Sequence, residues 1–154
     1  MTTRDENPQI DDIDREIIRL LQVDGRTPYS HLARVVGLSD AAARQRVNRL
    51  TAEGVIDIVA VTDPVKLGLG FQALLAIKVS DDVRKIAVEV GSYDDSVYVV
   101  LTAGRYDLIA EVVSRDSDAF VELTNTIRTL PGVESVETLP YLGITKETYD
   151  WGVG

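Results

Sequence analysis

The strongest constraint in this sequence is a pair of short helical patterns separated by only three residues, Gly37-Leu38-Ser39. The inward side of the first is marked by apolar residues at helical spacing, Leu32, Val35 and Val36. The second begins at Ser39, a favoured N-cap residue, and its buried stripe is spaced i, i+4, i+7 at Ala43, Val47 and Leu50. Two helices joined by a tight, glycine-containing turn are typical of a helix-turn-helix.

Another helical pattern precedes this pair and predicts a bracing helix. Its apolar stripe comprises Ile10, Ile13, Ile17, Leu20 and Leu21, and its start is crowded by three carboxylates that suit the helix dipole, Asp11, Asp12 and Asp14. Asp24-Gly25 ends it, and Thr27 is the expected N-cap of the next helix with Pro28 in the first helical position. The apolar run Val55 to Val61 predicts a strand or small wing. We therefore expect a mobile tail over residues 1–9 and a winged helix-turn-helix over 10–62.

The second half of the chain has a different pattern of apolar residues. Asp63-Pro64 and two glycines predict a linker over residues 63–70. Beyond it, we expect four strands, at 71–79, 97–103, 106–113 and 133–144, with one helix after the first strand and one before the last. This β-α-β-β-α-β order is that of a ferredoxin-like fold, so the expected class is α+β with a four-stranded antiparallel sheet over residues 71–154.

The predicted strands are apolar on both faces. In the second strand, Val97, Val99 and Leu101 alternate with Tyr98, Val100 and Thr102. Two helices cover only one face of such a sheet, so a second copy of the chain is the simplest cover for the other face. This pattern predicts a homodimer.

The charge of the chain is unevenly distributed. The net charge is −9, but residues 26–49 carry five arginines against Asp40, a local charge of +4. Residues 63–154 hold 8 basic and 15 acidic side chains, a charge of −7. A basic island on an acidic chain is an electrostatic footprint for phosphate, and it predicts double-stranded DNA as the partner.

Composition excludes several classes of site. There is no cysteine, and His31 is the only histidine, which excludes disulfides, thiolate metal sites and sites that need two imidazoles from one chain. No stretch approaches the roughly 18 apolar residues of a membrane span. We expect a cytoplasmic protein without a metal, a cofactor, a catalytic residue or a membrane partner.

The candidate DNA contacts lie on the exposed side of the third helix and just before it. Gln and Asn pair with adenine edges and Arg with guanine, which suits a helix that enters the major groove. Arg26 and Arg34 precede that helix and are better placed for phosphate. Arg46 is open to two interpretations, a DNA contact or an ion pair on the helix surface. The remaining predicted contacts are Ser39, Asp40, Ala41, Arg44, Gln45, Asn48 and Arg49.

The residues at Gly104-Arg105-Tyr106-Asp107 also admit two interpretations. The glycine relieves strain in a tight hairpin turn. Alternatively, free backbone N–H groups beside it hold a carboxylate while Asp107 holds an ammonium, a pairing that suits an amino acid.

Several of these motifs together resemble one family. The resemblance runs in order from 10 to 145 through Ile10-Asp11-Asp12-Ile13-Asp14, Leu20-Leu21-Gln22, Asp24-Gly25-Arg26, Leu32-Ala33, Val36-Gly37-Leu38-Ser39, Arg46-Val47, Arg49-Leu50, Glu53-Gly54-Val55-Ile56, Ala103-Gly104-Arg105-Tyr106-Asp107 and Leu130-Pro131-Gly132-Val133. With these motifs the chain is similar to the Lrp/AsnC (feast/famine) family of prokaryotic transcriptional regulators.

The resemblance implies a DNA-binding regulator that dimerises through its sheet and assembles further, often into octamers. It implies that an amino acid or related metabolite binds between dimers and changes assembly or DNA affinity. By this analogy the effector residues are Gly104, Arg105, Tyr106 and Asp107, with Thr138 on the last strand.

Two other functions are compatible with the same scaffold. One is a tetrapyrrole decarboxylase of the haem pathway, although the single histidine lies in the helix-turn-helix, far in sequence from the α/β domain. The other is an architectural DNA-compacting protein, which differs from a regulator in its lack of sequence selectivity.

Overall fold

The computed structural model describes residues 9–148 and divides them into two compact units, residues 9–61 with 146–148 and residues 62–145. The predicted mobile tail over residues 1–9 lies outside the described residues except for Gln9. Within the described chain, no helix is both long enough and apolar enough to cross a membrane.

The first unit consists of three helices, α1 (Asp12–Val23), α2 (Tyr29–Val36) and α3 (Asp40–Ala52). Their inward side chains form one apolar core, whose buried members are Ile17, Ile18, Leu32, Ala33, Ala43, Val47 and Leu50. The predicted stripes of α1 and α3 are thus confirmed. Val35 of α2 was expected to point inward but is 46% exposed, and Ala33 is buried in its place.

Two other local predictions in the first unit are wrong. Helix α2 begins one residue later than expected, with Pro28 as its N-cap, and the Thr27 hydroxyl donates instead to the Asp24 carbonyl at 2.7 Å. Residues 55–61 form no strand, and Ile58, Val59 and Val61 are exposed. A strand needs a partner for its backbone N–H and C=O groups, and this segment pairs with none of the four strands that the described residues form.

The second unit has the predicted ferredoxin-like order. A short 3-10 turn (Val65–Leu67) lies in the segment expected to be a linker. It precedes β1 (Phe71–Val79), α4 (Val83–Val90), β2 (Ser96–Leu101), β3 (Leu108–Ser114), α5 (Ser117–Arg128) and β4 (Val133–Pro140). The sheet order is β2-β3-β1-β4 with every neighbouring pair antiparallel. Strands β2, β3 and β4 are each shorter than expected. Strand β2 ends at Leu101, Tyr106 and Asp107 belong to the β2–β3 loop, and β4 ends at Pro140.

Both helices of the second unit pack on the same face of the sheet. Ile86 and Val90 of α4, with Phe120 and Ile127 of α5, share one core with the inward side chains of the strands, Ala73, Leu75, Ile77, Leu108, Ala110, Val112 and Val136. The opposite face, which we call the helix-free face, presents the alternate residues of each strand. Its apolar members are Leu74, Ala76, Tyr98, Val100, Ile109, Val113 and Leu139.

Candidate nucleic-acid interface and effector loop

The turn between α2 and α3 has the geometry that the sequence predicted. Gly37 ends α2 in the left-handed conformation, with a φ of 71° that favours glycine, and the Leu38 N–H donates to the Ala33 carbonyl at 2.9 Å. The Ser39 hydroxyl caps α3 by accepting the Ala42 N–H at 3.2 Å. These contacts fix α3 across α2 with only three residues between the two helices.

Helix α3 divides its residues cleanly between core and solvent. Ala43, Val47 and Leu50 are buried. The opposite side carries most of the predicted DNA contacts, and the structure leaves six of them exposed together, Ser39, Asp40, Ala41, Arg44, Gln45 and Asn48. Arginine, amide and hydroxyl groups on one exposed helix surface are suited to hydrogen bonding with base edges.

Two arginines outside α3 are also exposed. The Arg26 side chain is 94% exposed and lies 3.8 Å from the Asp24 carboxylate, while Arg34 is exposed in the last turn of α2. Exposed arginines beside a helix that enters a groove are suited to phosphate contacts.

The other basic residues of α3, Arg46 and Arg49, are half-buried and paired with carboxylates. Asp14 of α1 is buried, with 1% of its side chain exposed, and its carboxylate accepts Arg46 Nη1 at 2.8 Å and Arg49 Nη2 at 2.5 Å. Arg46 also binds Asp11 at 2.7 Å, and Arg49 binds Glu53 at 3.1 Å. Of the two interpretations of Arg46, the structure supports the ion pair. Arg49 was expected at the DNA, and these internal partners make it the weakest of the predicted contacts.

Asp14 also takes part in the cap at the start of its own helix, α1. Its backbone N–H donates to Asp11 Oδ1 at 2.8 Å and its Oδ2 accepts the Asp11 N–H at 3.2 Å, a reciprocal capping box. The Asp14 N–H and then Arg46 lower the pKa of the Asp11 carboxyl. Sequence reasoning placed Asp14 at the helix dipole but missed its role as an acceptor for α3. The spacing of Asp11 and Asp14, N-cap to N3, was the available signal.

Sequence reasoning also missed Tyr29, the first residue of α2. Its half-buried ring packs against the core of the first unit, and the Arg44 guanidinium carbon lies 4.9 Å from its centroid. This is a cation–π contact across the α2–α3 turn.

The loop between β2 and β3 is closed by its own backbone. The Thr102 N–H donates to the Asp107 carbonyl at 3.0 Å, and the Thr102 hydroxyl donates to the Tyr106 carbonyl at 2.8 Å. Gly104 has a φ of 141°, a conformation that side chains disfavour. Within residues 9–148, the N–H groups of Gly104, Arg105 and Tyr106 make no hydrogen bond.

Asp107 has a structural role that the sequence did not indicate. Its carboxylate accepts Lys78 Nζ at 3.0 Å and the Val79 N–H at 2.9 Å, and its own N–H donates to the Ile77 carbonyl at 3.0 Å. The hydrogen bond from Val79, and next the one from Lys78, lower the pKa of this carboxyl. Asp107 thus ties the loop to the end of β1.

The other predicted effector residues are only partly brought together. The Tyr106 hydroxyl donates to the Glu137 carboxylate, and Arg105 lies over the Tyr106 ring at 5.3 Å. Glu137 pairs with Ala76, on the helix-free face, whereas Thr138 pairs with Leu75, on the face that the helices cover. Cross-strand partners share a face, so the structure separates Thr138 from the Tyr106–Glu137 pair.

These features define a class of protein. A helix-turn-helix with an exposed polar surface precedes a ferredoxin-like unit with an exposed loop, which is the architecture of a DNA-binding regulator with a separate sensing domain. Two family matches agree with this division: residues 10–51 match the AsnC-type helix-turn-helix domain and residues 72–151 match the Lrp/AsnC ligand binding domain. The chain belongs to the Lrp/AsnC family of transcriptional regulators.

Individual relatives support this assignment over nearly the full chain. The HTH-type transcriptional regulator FL11 of Pyrococcus horikoshii is 31% identical over 141 residues, which cover 90% of this chain and 93% of that protein. The structure of AsnC from E. coli superposes with a TM-score of 0.83 at 27% identity, covering 92% of this chain and 98% of that one. The feast or famine regulatory protein of M. tuberculosis, in complex with L-methionine, gives a TM-score of 0.82 at 28% identity and covers 90% and 96%.

Proposed function

We propose that this regulator reads specific DNA sequences with the exposed side of α3 and responds to an amino acid at the β2–β3 loop. The observation that carries the first part is the division of the arginines. Arg46 and Arg49 are each paired with two carboxylates, whereas Arg44 makes no ion pair within residues 9–148 and lies beside Gln45 and Asn48 on the exposed surface. Arg44, Gln45 and Asn48 are the proposed base contacts, and Arg26 and Arg34 are the proposed phosphate contacts.

The test of DNA recognition is selection of bound sequences from a randomised double-stranded DNA library with the full-length chain. We expect enrichment of a defined motif, and an affinity that falls as salt rises. Arg26→Ala lowers the slope of log affinity against log salt by about 0.9, the value for one lost phosphate contact, without changing the motif. Arg115→Ala, an exposed arginine of the second unit, is the matched control and leaves the slope unchanged.

Two results contradict the proposal in different ways. Binding without enrichment of any motif identifies an architectural protein that compacts DNA. Absence of binding at low salt removes DNA as the partner altogether.

The proposed effector site is the exposed part of the β2–β3 loop. The free N–H groups of Gly104, Arg105 and Tyr106 are suited to an effector carboxylate, assisted by the exposed Arg105 guanidinium. Asp107 offers the ammonium its remaining lone pairs, since its carboxylate is already shared with Lys78 and Val79. The L-methionine complex of the M. tuberculosis relative supports an amino acid as the class of effector.

A thermal-shift screen of the common amino acids tests this site, because a ligand that binds the native state raises its melting temperature. We expect at least one amino acid to stabilise the wild type. Gly104→Asp abolishes the shift, since it adds a side chain at a φ of 141° and a negative charge beside the effector carboxylate. Gly143→Asp, at an exposed glycine without positive φ, is the control and retains the shift. An unchanged shift in Gly104→Asp places the site elsewhere.

We also propose that the helix-free face is covered by a second copy of the chain. The resulting dimers are proposed to assemble further, into octamers as is common in this family. The support is its composition: Leu74, Val100 and Ile109 are half-buried and Tyr98 and Leu139 are exposed on a sheet face that neither helix covers. Such an apolar face is typical of an interface between subunits. As a regulator that acts on DNA, the protein is proposed to work in the cytoplasm of a prokaryotic cell, without catalysing a reaction.

A further inference from the structure

The arginines of α3 have two kinds of neighbour. Arg46 and Arg49 face carboxylates, which occupy their N–H donors. Arg44 faces the ring of Tyr29 at 4.9 Å and makes neither a hydrogen bond nor an ion pair with residues 9–148. The Tyr29 ring therefore holds the Arg44 guanidinium in position without neutralising its charge.

A guanidinium stacked on an aromatic ring keeps its N–H donors available for hydrogen bonds. An aromatic ring contacts the plane of the group, whereas the five N–H donors point outward from its edges. The donor fork of Arg44 remains available for the O6 and N7 acceptors of a guanine, which lie side by side in the major groove. A carboxylate partner would occupy the same donors.

The position of Tyr29 gives this contact rigidity. It is the first residue of α2, its ring is half-buried, and it packs against the core of the first unit. The ring is thus anchored independently of DNA. Arg44 is held on this platform, so less of its side-chain entropy remains to be lost when it meets a base.

We infer that Tyr29 is a positioning residue for base recognition: it holds the Arg44 guanidinium preorganised for one guanine of the operator. Tyr29 itself contacts no base and acts through Arg44. The inference rests on the proposed role of α3 in reading DNA. It predicts that the identity of residue 29 changes sequence preference at one base position only.

The experiment is the library selection above, repeated with full-length variants and read as the preference for each base at each position. Arg44→Ala identifies the position, which loses its preference for guanine. Tyr29→Leu retains an apolar side chain without a π face and lowers the guanine preference at that position about two- to fivefold. In the Arg44→Ala background, Tyr29→Leu causes no further change at that position, because the two residues act as one unit.

A second comparison keeps the fold constant. Tyr29→Phe retains the ring and the guanine preference. Pentafluorophenylalanine at position 29 has the same shape but an electron-poor face, and it lowers the preference as leucine does. This pair distinguishes the cation–π contact from simple packing of α2.

The outcomes separate the inference from the proposed function. If the wild type enriches no motif, both fail. If the wild type enriches a motif but Tyr29→Leu and the fluorinated ring weaken binding equally at every position, or act additively with Arg44→Ala, then Tyr29 only stabilises the fold and the inference alone is overturned.

Discussion

Asp14 on α1 accepts a hydrogen bond from Arg46 on α3 at 2.8 Å, across 32 residues of sequence. The same carboxylate accepts Arg49, so one buried acid binds two arginines of the helix that carries the proposed base contacts. This arrangement joins α1 to α3 through charge as well as through apolar packing.

The contacts of Asp14 with Arg46 and Arg49 predict that replacing its carboxylate by an amide destabilises the protein. Asp14→Asn lowers the free energy of unfolding by about 1.5–3 kcal/mol, the range for lost hydrogen bonds to charged groups. The loss stays below the 3–5 kcal/mol of an uncompensated buried charge because both arginines remain partly exposed, at 27% and 35%. Urea unfolding followed by circular dichroism measures it. Asp12→Asn, in the same helical turn but exposed, is the control, and an equal loss there would show that only the helix dipole matters.

Neighbouring valines of β2 are predicted to respond differently to the same charge. Val99 pairs with Ala110 and packs in the helix-covered core, whereas Val100 pairs with Ile109 on the helix-free face. Val99→Asp unfolds the second unit, because it buries a charge without a partner. Val100→Asp leaves the fold intact and converts the proposed dimer to a monomer. Circular dichroism and sedimentation velocity distinguish the two, and a Val100→Asp chain that remains dimeric contradicts the proposed interface.

The amide side chains of α3 are predicted to carry base discrimination. Gln45→Ala and Asn48→Ala each flatten the preference at one operator position by about 1–3 kcal/mol, the value of a lost bidentate contact. Binding to unrelated DNA changes little, because that depends on phosphate contacts. Base-by-base selection measures the effect, with Asn125→Ala, an exposed amide on α5, as the control. Unaltered preference in both variants would move recognition away from α3.

The Asp107 contacts predict a pH dependence of stability with a defined sign. Because the folded state lowers the pKa of this carboxyl below its ordinary 3.8, its stabilising effect is present above that value. The effect is lost as pH falls from there through the folded pKa. The wild type is therefore more stable than Asp107→Asn at neutral pH, and the difference shrinks below about pH 3.8.

Thermal unfolding over this pH range measures the difference. Asp118→Asn, at an exposed carboxylate on α5, is the control and follows the wild-type profile. A gap between wild type and Asp107→Asn that stays constant with pH would show that the carboxylate charge is not what binds Lys78 and Val79.

Local sequence patterns were enough to predict the order of the three helices and of the β-α-β-β-α-β elements, and the ends of some of them. Ser39 caps α3, Gly37 ends α2, and apolar residues at helical spacing separate the helices from the apolar runs of the strands. These are local properties: caps, turn residues and apolar spacing act over a few residues, so they are legible without the tertiary structure. The proposal that α3 reads DNA rests on the same local patterns.

Long-range packing sets which partner each of the candidate side chains contacts. In the sequence, Arg44, Arg46 and Arg49 look alike, and only the packing of α1 and α2 against α3 gives the first an aromatic partner and the others a buried carboxylate. Likewise, Asp107 meets Lys78 across 29 residues because β1 and β3 are paired. Partners so distant in sequence are selected by the geometry of the whole fold, and a long-range ion pair leaves no periodic pattern in the chain. The run from Val55 to Val61 shows the converse: its composition favours a strand, but a strand forms only where the fold supplies a partner.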